Sequence, residues 1–286
     1  MTVLFFLIAV ALGPVYQNLK GQVNPVILVS CLGFLTLLKR DRPFAASVVL
    51  GLGIWIKLYP AVLVLIGIQR KTYKRFIAGL LIAAIFPVVL LNFIPFSLYA
   101  EYFFDRIHTF AGITNLSALN QSLTGFLSNL VYSPSELAHY NYIDIEPWIK
   151  TVNLIIGLLL LIAACVPFIR NPVTGTLPSA FSLMALIPVI SPLGWEHAYL
   201  LAVPLVLYLL LDSPDWRSGY QVLFSVALFL FMLPKIPDSI ISRTCRIGPH
   251  AIHCLFYSRY LFIVLAFLVP MLRKGFRRDP KAVSSG

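Results

Sequence analysis

Lys57 is the residue of this 286-residue chain whose position most strongly suggests chemistry. It lies near the centre of a long apolar run, residues 44–68, within the sequence Ile-Trp-Ile-Lys-Leu-Tyr-Pro. At 1.5 Å per helical residue, Lys57 is roughly 20 Å from the start of the run, beyond easy snorkelling to a membrane surface. An ammonium at that depth costs several kcal/mol unless a cavity, a partner or a ligand compensates. We therefore predict a functional lysine, with a snorkelling lysine as the alternative.

A second polar cluster lies between two short apolar stretches near the end of the chain. Residues 191–197 read Ser-Pro-Leu-Gly-Trp-Glu-His. The flanking stretches, 177–190 and 199–211, are each shorter than the roughly 20 residues that a membrane-spanning helix needs. Glu196 and His197 can both exchange protons, and both are costly at the edge of hydrocarbon. The cluster is either a plain loop of helix-breaking residues or a recessed polar apex that faces a cavity.

Amide and hydroxyl side chains form two further clusters. Gln22 and Asn24 come directly before an apolar stretch, where Asn24 could also simply cap a helix. Asn120, Gln121 and Ser122 lie in the sizeable hydrophilic segment 96–148, and they suit hydrogen bonding to sugar hydroxyls, although a solvated loop is the alternative. The scattered histidines show no metal-binding spacing, so we expect neither a metal nor a cofactor.

The composition places these clusters in a membrane protein. Hydrophobic residues make up 59% of the chain, charged residues 12%, and the mean hydropathy is +0.87. Such values are typical of a chain that crosses a membrane several times. The net charge of +11 needs no nucleic acid as a partner, because the basic residues cluster in short loops at 39–42 and 70–75 and in the tail at 273–281. By the positive-inside rule these places, including the C-terminus, are cytoplasmic.

One topology satisfies these anchors. It predicts an all-α polytopic bundle of about eight spans, as one domain over residues 1–286 with a large extracytoplasmic loop at 96–148. The spans are 1–12, 23–38, 76–94, 149–169, 177–190, 199–211, 220–233 and 255–272. The run 44–68 has cytoplasmic loops at both ends, so it predicts a short re-entrant hairpin that Pro60 breaks near Lys57. Lys57 and the 191–197 turn would then face one outward cavity.

The same clusters, taken in order, resemble a known family. Gly-Gln-Val-Asn at 21–24, Lys-Leu-Tyr-Pro at 57–60, Asn-Gln-Ser-Leu at 120–123, and Ser191-Pro192 with Trp195 and His197 are similar to the pattern of glycosyltransferase family 87. The resemblance implies a GT-C fold in the plasma membrane and a polyprenyl-phosphate sugar, often mannose, as donor. It also implies transfer of the hexose to a lipid or glycan acceptor on the extracytoplasmic face.

The resemblance assigns roles to the polar residues. Lys57 is expected to pair with the donor phosphate, supported by Tyr59 and His197, because charge builds on the phosphate as it leaves. Gln22, Asn24 and Trp195 are expected to hold sugar or phosphate oxygens, as are the three residues at 120–122. An inverting transfer also needs a carboxylate to take the acceptor proton. Glu196, within the 191–197 turn, is one candidate, and Glu101 and Asp105, early in the large loop, are the alternatives.

Two departures keep other functions open. Family members usually carry an acidic residue in a first outward loop, and residues 1–12 are short for a span, so we expect an upstream part with that loop. The alternatives are a transporter or flippase of a lipid-linked sugar, since broken helices around a cation also suit transporters, and a noncatalytic membrane subunit.

Cys245 and Cys254 share an outward region where a disulfide is permitted.

Overall fold

The computed structural model describes residues 22–68, 72–90, 93, 95–106, 109, 112–115, 120–132, 142–212 and 258–276. Most of these residues are helical, which agrees with the predicted all-α class. The predicted spans at 1–12 and 220–233 lie outside the described residues, and so does the possible Cys245–Cys254 pair.

The N-terminal helices form a closely packed group. They are α1 (Asn24–Lys39), α2 (Pro43–Ile56), α3 (Val64–Ile68) and α4 (Tyr73–Leu90). A proline stands in the first positions of α1 and of α2, where its missing N–H leaves no intrahelical hydrogen bond unmade. Helix α2 packs against both α1 and α4.

The long apolar run is broken at Lys57, as its sequence predicts. Helix α2 ends at Ile56, and Lys57 takes an extended conformation with φ −151° and ψ 138°. The chain resumes as a 3-10 helix, Tyr59–Leu63, which leads into α3. Pro60 lies near the start of that 3-10 helix, where a proline is tolerated.

The described parts of the large loop contain short helices and strands. They are α5 (Phe96–Ala100), a π-helical turn (Glu101–Arg106), strand β1 (Ile113–Asn115), helix α6 (Leu123–Val131) and strand β2 (Tyr142–Asp144). The two strands pair antiparallel, with Thr114 opposite Ile143. This small sheet is an addition to the all-helical expectation.

The C-terminal elements enclose the most buried helix of the described part. They are α7 (Pro147–Arg170), α8 (Thr176–Ile190), a 3-10 helix (Glu196–Ala202), α9 (Val203–Asp212) and α10 (Arg259–Phe276). Helix α8 packs against all four of the others, and its side chains are almost all buried. The turn between α8 and the 3-10 helix is the 191–197 cluster of the sequence.

Among the described residues, α4 and α7 are long and apolar enough to cross a membrane. Both helices leave large apolar side chains on the surface, such as Leu81 at 62% exposure and Leu154 at 71%. An apolar outer face of this kind suits contact with lipid. The other apolar helical stretches, including Arg259–Met271 of α10, are 10–17 residues long, so the predicted number of spans stays a prediction.

Candidate functional site

The two polar breaks predicted to face one cavity are in contact. The Tyr59 side chain, two residues after Lys57, shares a hydrogen bond with the side chain of Ser191 at the end of α8. His197 is close enough to Lys57 for the two charges to interact. Lys57 and Ser191 therefore belong to one group of side chains, called the Lys57 cluster below, although they are 134 positions apart in the sequence.

Lys57 is held between an amide and an aromatic ring. Its Nζ donates to Oδ1 of Asn24, the first residue of α1, over 3.1 Å, and it lies 5.1 Å from the centre of the Tyr59 ring. Asn24 is fully buried, and its Nδ2 has no hydrogen-bond partner among the described residues. The Lys57 cluster therefore presents an ammonium and an unused amide donor side by side.

No carboxylate neutralises Lys57 within the described residues. The ion pair found in that part of the chain joins Arg106 to Glu101 over 2.7 Å, and both of these side chains are exposed. A half-buried cation that is satisfied only by an amide and a ring face is suited to an anion from outside the protein.

The electrostatics of the cluster disfavour further positive charge. Lys57 is half-buried and lies in the break between two helices. His197 lies at the start of a 3-10 helix, and burial together with the charge of Lys57 lowers its pKa to about 4. His197 is therefore neutral near pH 7, while a bound anion would stabilise the charged form of Lys57.

Asn120 connects the large loop to the 191–197 turn. Its Nδ2 donates to Thr114 Oγ1 over 2.9 Å and to the carbonyl oxygen of Pro192 over 3.1 Å. Its Oδ1 accepts from the Gly194 N–H over 3.0 Å and from the Ser122 hydroxyl over 2.8 Å. The backbone of Asn120 also bridges that of Trp195. The third sequence motif therefore joins the cluster through the turn.

Gln121 extends this network to two tyrosines that sequence reasoning missed. The Tyr199 hydroxyl donates to the Gln121 carbonyl oxygen over 2.7 Å, and the Tyr260 N–H donates to Gln121 Oε1 over 3.1 Å. The two tyrosine rings stack with centroids 5.3 Å apart. The buried guanidinium of Arg259 lies 4.8 Å from the centre of the Tyr260 ring. A tyrosine in an apolar stretch was the available signal, because a buried hydroxyl needs a partner.

The other predicted site residues occupy different settings. Gln22 and Trp195 are half-buried, and the Trp195 ring is nearly parallel to that of His197, with centroids 6.5 Å apart. Glu196 opens the 3-10 helix, while the place of its side chain lies outside the described part. Asn120, Gln121 and Ser122 are at most 2% exposed. No group of metal-ligating side chains occurs within the described residues.

Comparison with known proteins agrees with this arrangement of motifs. Residues 1–192 match the family model described as Glycosyltransferase family 87, which is more than half of the chain. The chain belongs to glycosyltransferase family 87. The matched region contains the first three motifs and Ser191 of the fourth, so the recognition from sequence is confirmed.

One curated relative carries a more specific name. It is the polyprenol-phosphate-mannose-dependent alpha-(1-2)-phosphatidylinositol mannoside mannosyltransferase of Mycobacterium tuberculosis, which is 28% identical over 223 residues. The alignment covers 76% of this family 87 chain but 48% of the relative, so the chain spans about half the length of that relative. No solved structure matches the chain.

Proposed function

We propose that this family 87 chain forms the donor-phosphate side of a site that transfers a hexose from a polyprenyl phosphate. The acceptor is a hydroxyl of a lipid or glycan, and the site faces the extracytoplasmic side of the membrane. Mannose is the sugar we favour, because the curated relative is named for a polyprenol-phosphate-mannose donor and a phosphatidylinositol mannoside acceptor.

The pairing of Lys57 with Asn24 carries this proposal. In the part of the chain that the structure describes, no carboxylate pairs with the ammonium and the neighbouring buried Nδ2 of Asn24 has no hydrogen-bond partner. Lys57 Nζ donates to Asn24 Oδ1 and still has N–H groups to give. These N–H groups and Asn24 Nδ2 match a phosphate oxygen, which accepts charge-assisted hydrogen bonds. A sugar hydroxyl would fit less well, because it would leave the charge of Lys57 without compensation.

The proposed reaction assigns each group a place. The acceptor oxygen attacks the anomeric carbon, the bond from that carbon to the phosphate oxygen breaks, and the polyprenyl phosphate leaves with the electron pair. Lys57 and Asn24 stabilise the charge that develops on the leaving phosphate, and neutral His197 can donate one further hydrogen bond to it. The acceptor proton passes to a carboxylate, for which Glu196, within the 191–197 turn, is the candidate.

The remaining polar residues complete the site at its edges. Trp195 and Gln22 are half-buried, so each can reach a ligand while it is held by the protein. Trp195 would stack on a sugar face, and Tyr59 would orient Lys57 through its ring. These roles go beyond family membership and require direct tests.

The test uses membranes that contain the chain, supplied with radiolabelled polyprenyl-phosphate mannose and a phosphatidylinositol mannoside acceptor. We expect label to move to the acceptor. Replacement of Lys57 by methionine, which keeps the length of the side chain but removes the charge, should lower the rate about 100-fold or more. Lys150→Met is the matched control, because Lys150 is exposed on α7, and it should leave the rate unchanged.

Two results would overturn the proposal. Label that crosses the bilayer without reaching an acceptor would identify a flippase. Equal rates for the native chain, Lys57→Met and Lys150→Met would show that the ammonium does not contact the donor phosphate.

A further inference from the structure

Asn120 has no hydrogen-bonding capacity left for a ligand. A side-chain amide offers two N–H donors and two lone pairs. In this structure the amide nitrogen contacts Thr114 Oγ1, Pro192 O and, at 3.3 Å, the Asn115 carbonyl oxygen. The amide oxygen already accepts from the Gly194 N–H and from the Ser122 hydroxyl. Because the side chain is also completely buried, Asn120 cannot hold a sugar hydroxyl in this arrangement.

The 191–197 turn depends on contacts from the large loop for its shape. The Pro192 carbonyl oxygen accepts from Asn120 Nδ2 and from the Thr114 hydroxyl, both at 3.1 Å. The Gly194 carbonyl oxygen accepts from the Gln121 N–H at 2.8 Å. A Cβ at position 194 would overlap the Pro188 carbonyl oxygen and lie 2.8 Å from Ser122 Cβ. The loop and the turn therefore pack too closely at Gly194 to leave room for a side chain.

The 191–197 turn also sets the position of the residues that face Lys57. Trp195 is bridged to Asn120 through the backbone, and His197 follows two residues later. Ser191, at the other end of the turn, shares its hydrogen bond with Tyr59. Any change in the path of residues 192–194 would therefore move both rings relative to the ammonium.

We propose that Asn120 is a positioning residue: it contacts no substrate but fixes the 191–197 turn so that Trp195 and His197 face the Lys57 cluster. The proposal depends on the function proposed above in one respect: it takes these two rings to be part of the donor site. Asparagine is required because aspartate, although equal in size, would place an oxygen against the Pro192 and Asn115 carbonyls and lose both N–H donors.

The first experiment measures how Asn120 and His197 act together in the transfer assay. Asn120→Asp should lower the rate about 100-fold, as expected when a reacting group is misplaced by about 1 Å. If Asn120 acts through the turn, the loss in the double variant with His197→Ala should be smaller than the product of the two single losses, because the position of a missing ring cannot matter. Losses that multiply would show that Asn120 acts independently of the turn and would overturn the proposal.

The second experiment does not depend on transferase activity. The chain is labelled with fluorotryptophan in detergent, and the resonance of Trp195 is assigned by its absence in Trp195→Phe. Asn120→Asp should move the Trp195 resonance and leave that of Trp55 in place, since Trp55 lies on α2 and donates to the Ala83 carbonyl oxygen. Asn171→Asp, an exposed position that keeps its accepting oxygen, is the control and should move neither.

A milder variant covers the case in which Asn120→Asp does not fold. Thr114→Val keeps the shape of a buried side chain and removes one support of the Pro192 carbonyl, so it should move the Trp195 resonance in the same direction by less. An unmoved Trp195 resonance in both variants, with activity lost, would assign Asn120 to the substrate instead. A moved resonance in a chain without transferase activity would retain the positioning role and refute the proposed function.

Discussion

The charge state of His197 determines whether the Lys57 cluster presents one positive charge or two to an anion. Burial and the positive charge of Lys57 both disfavour the imidazolium, which is why the pKa of His197 falls to about 4. At neutral pH the imidazole is then a neutral hydrogen-bonding group beside a single cation. A neutral ring can lie close to Lys57 without repelling it, and it can still donate one hydrogen bond to a phosphate.

This charge state can be measured directly. In a chain labelled with 13C in its histidine rings, the His197 signal, assigned by its absence in His197→Gln, should show no titration between pH 5.5 and 8, a window above the pKa of about 4. Lys57→Met removes one of the two causes, so it should raise the pKa of His197 toward the ordinary value. A midpoint near the unperturbed value of about 6.5 in both proteins would contradict the assigned contact.

The lowered pKa of His197 also makes the stability of the fold depend on pH. A histidine whose pKa is lower in the folded state than in the unfolded state stabilises the fold fully above the unfolded value, about 6.5. That contribution is lost as the pH falls from there toward 4. Native protein should therefore lose thermal stability over this range more steeply than His197→Gln, in which the titrating ring is absent.

At the residue scale, sequence reasoning found the cluster but not all of its connections. Lys57 and the 191–197 turn stand out because polar groups are costly in apolar runs, and the structure brings them together. Tyr199 and Tyr260 were missed because their partner, Gln121, is 78 and 139 residues away. No local pattern encodes a contact over that separation.

At the element scale, close packing against α4 holds α2, the helix that ends at the Lys57 break, in place. Gly79 on α4 faces the Ser47 hydroxyl and the Phe44 carbonyl on α2, and a Cβ at position 79 would overlap both. Near the other end of α2, the Trp55 Nε1–H donates to the Ala83 carbonyl oxygen over 2.9 Å. Small residues allow helices in a membrane to approach this closely, and van der Waals contact then stabilises the pair.

A valine at position 79 tests this packing. Gly79→Val should destabilise the protein by about 1–3 kcal/mol, because added methyl groups must push the two helices apart. Thermal unfolding in detergent measures the loss, with Ala84→Val as the control, since Ala84 lies on the exposed face of α4. If the two variants unfold at the same temperature, the two helices are not in close contact at Gly79.

The elements themselves were predictable to different degrees. The break after Ile56 follows from a lysine and a proline in an apolar run, and the structure has it. The β1–β2 pair was not foreseen, because strands of three residues are too short to show an alternating pattern. Residues 199–202, in the second half of the 3-10 helix Glu196–Ala202, have the composition of an ordinary apolar helix, so the sequence predicted one continuous span over 199–211.

At the scale of the whole molecule, α7 provides the best reference for the orientation in a membrane. Its 24 residues extend about 36 Å, enough to cross a hydrocarbon core of about 30 Å. Strand β2 lies just before α7, in the large loop that contacts the 191–197 turn through Asn120. The basic residue Arg170 ends α7, so the positive-inside rule predicts that this end lies in the cytoplasm and the large loop outside.

Two single-cysteine variants at the ends of α7 test this orientation. In a chain whose four native cysteines are replaced by serine, Asp144→Cys and Thr174→Cys each place a thiol at an exposed position. A membrane-impermeant maleimide added to intact cells should label position 144, whereas position 174 should react only after the membrane is opened. The reverse pattern would place the large loop and the Asn120 contacts in the cytoplasm. Because the proposed polyprenyl-phosphate donor would reach Lys57 from the side that holds those contacts, the same labelling also decides on which face of the membrane the transfer assay has to supply its acceptor.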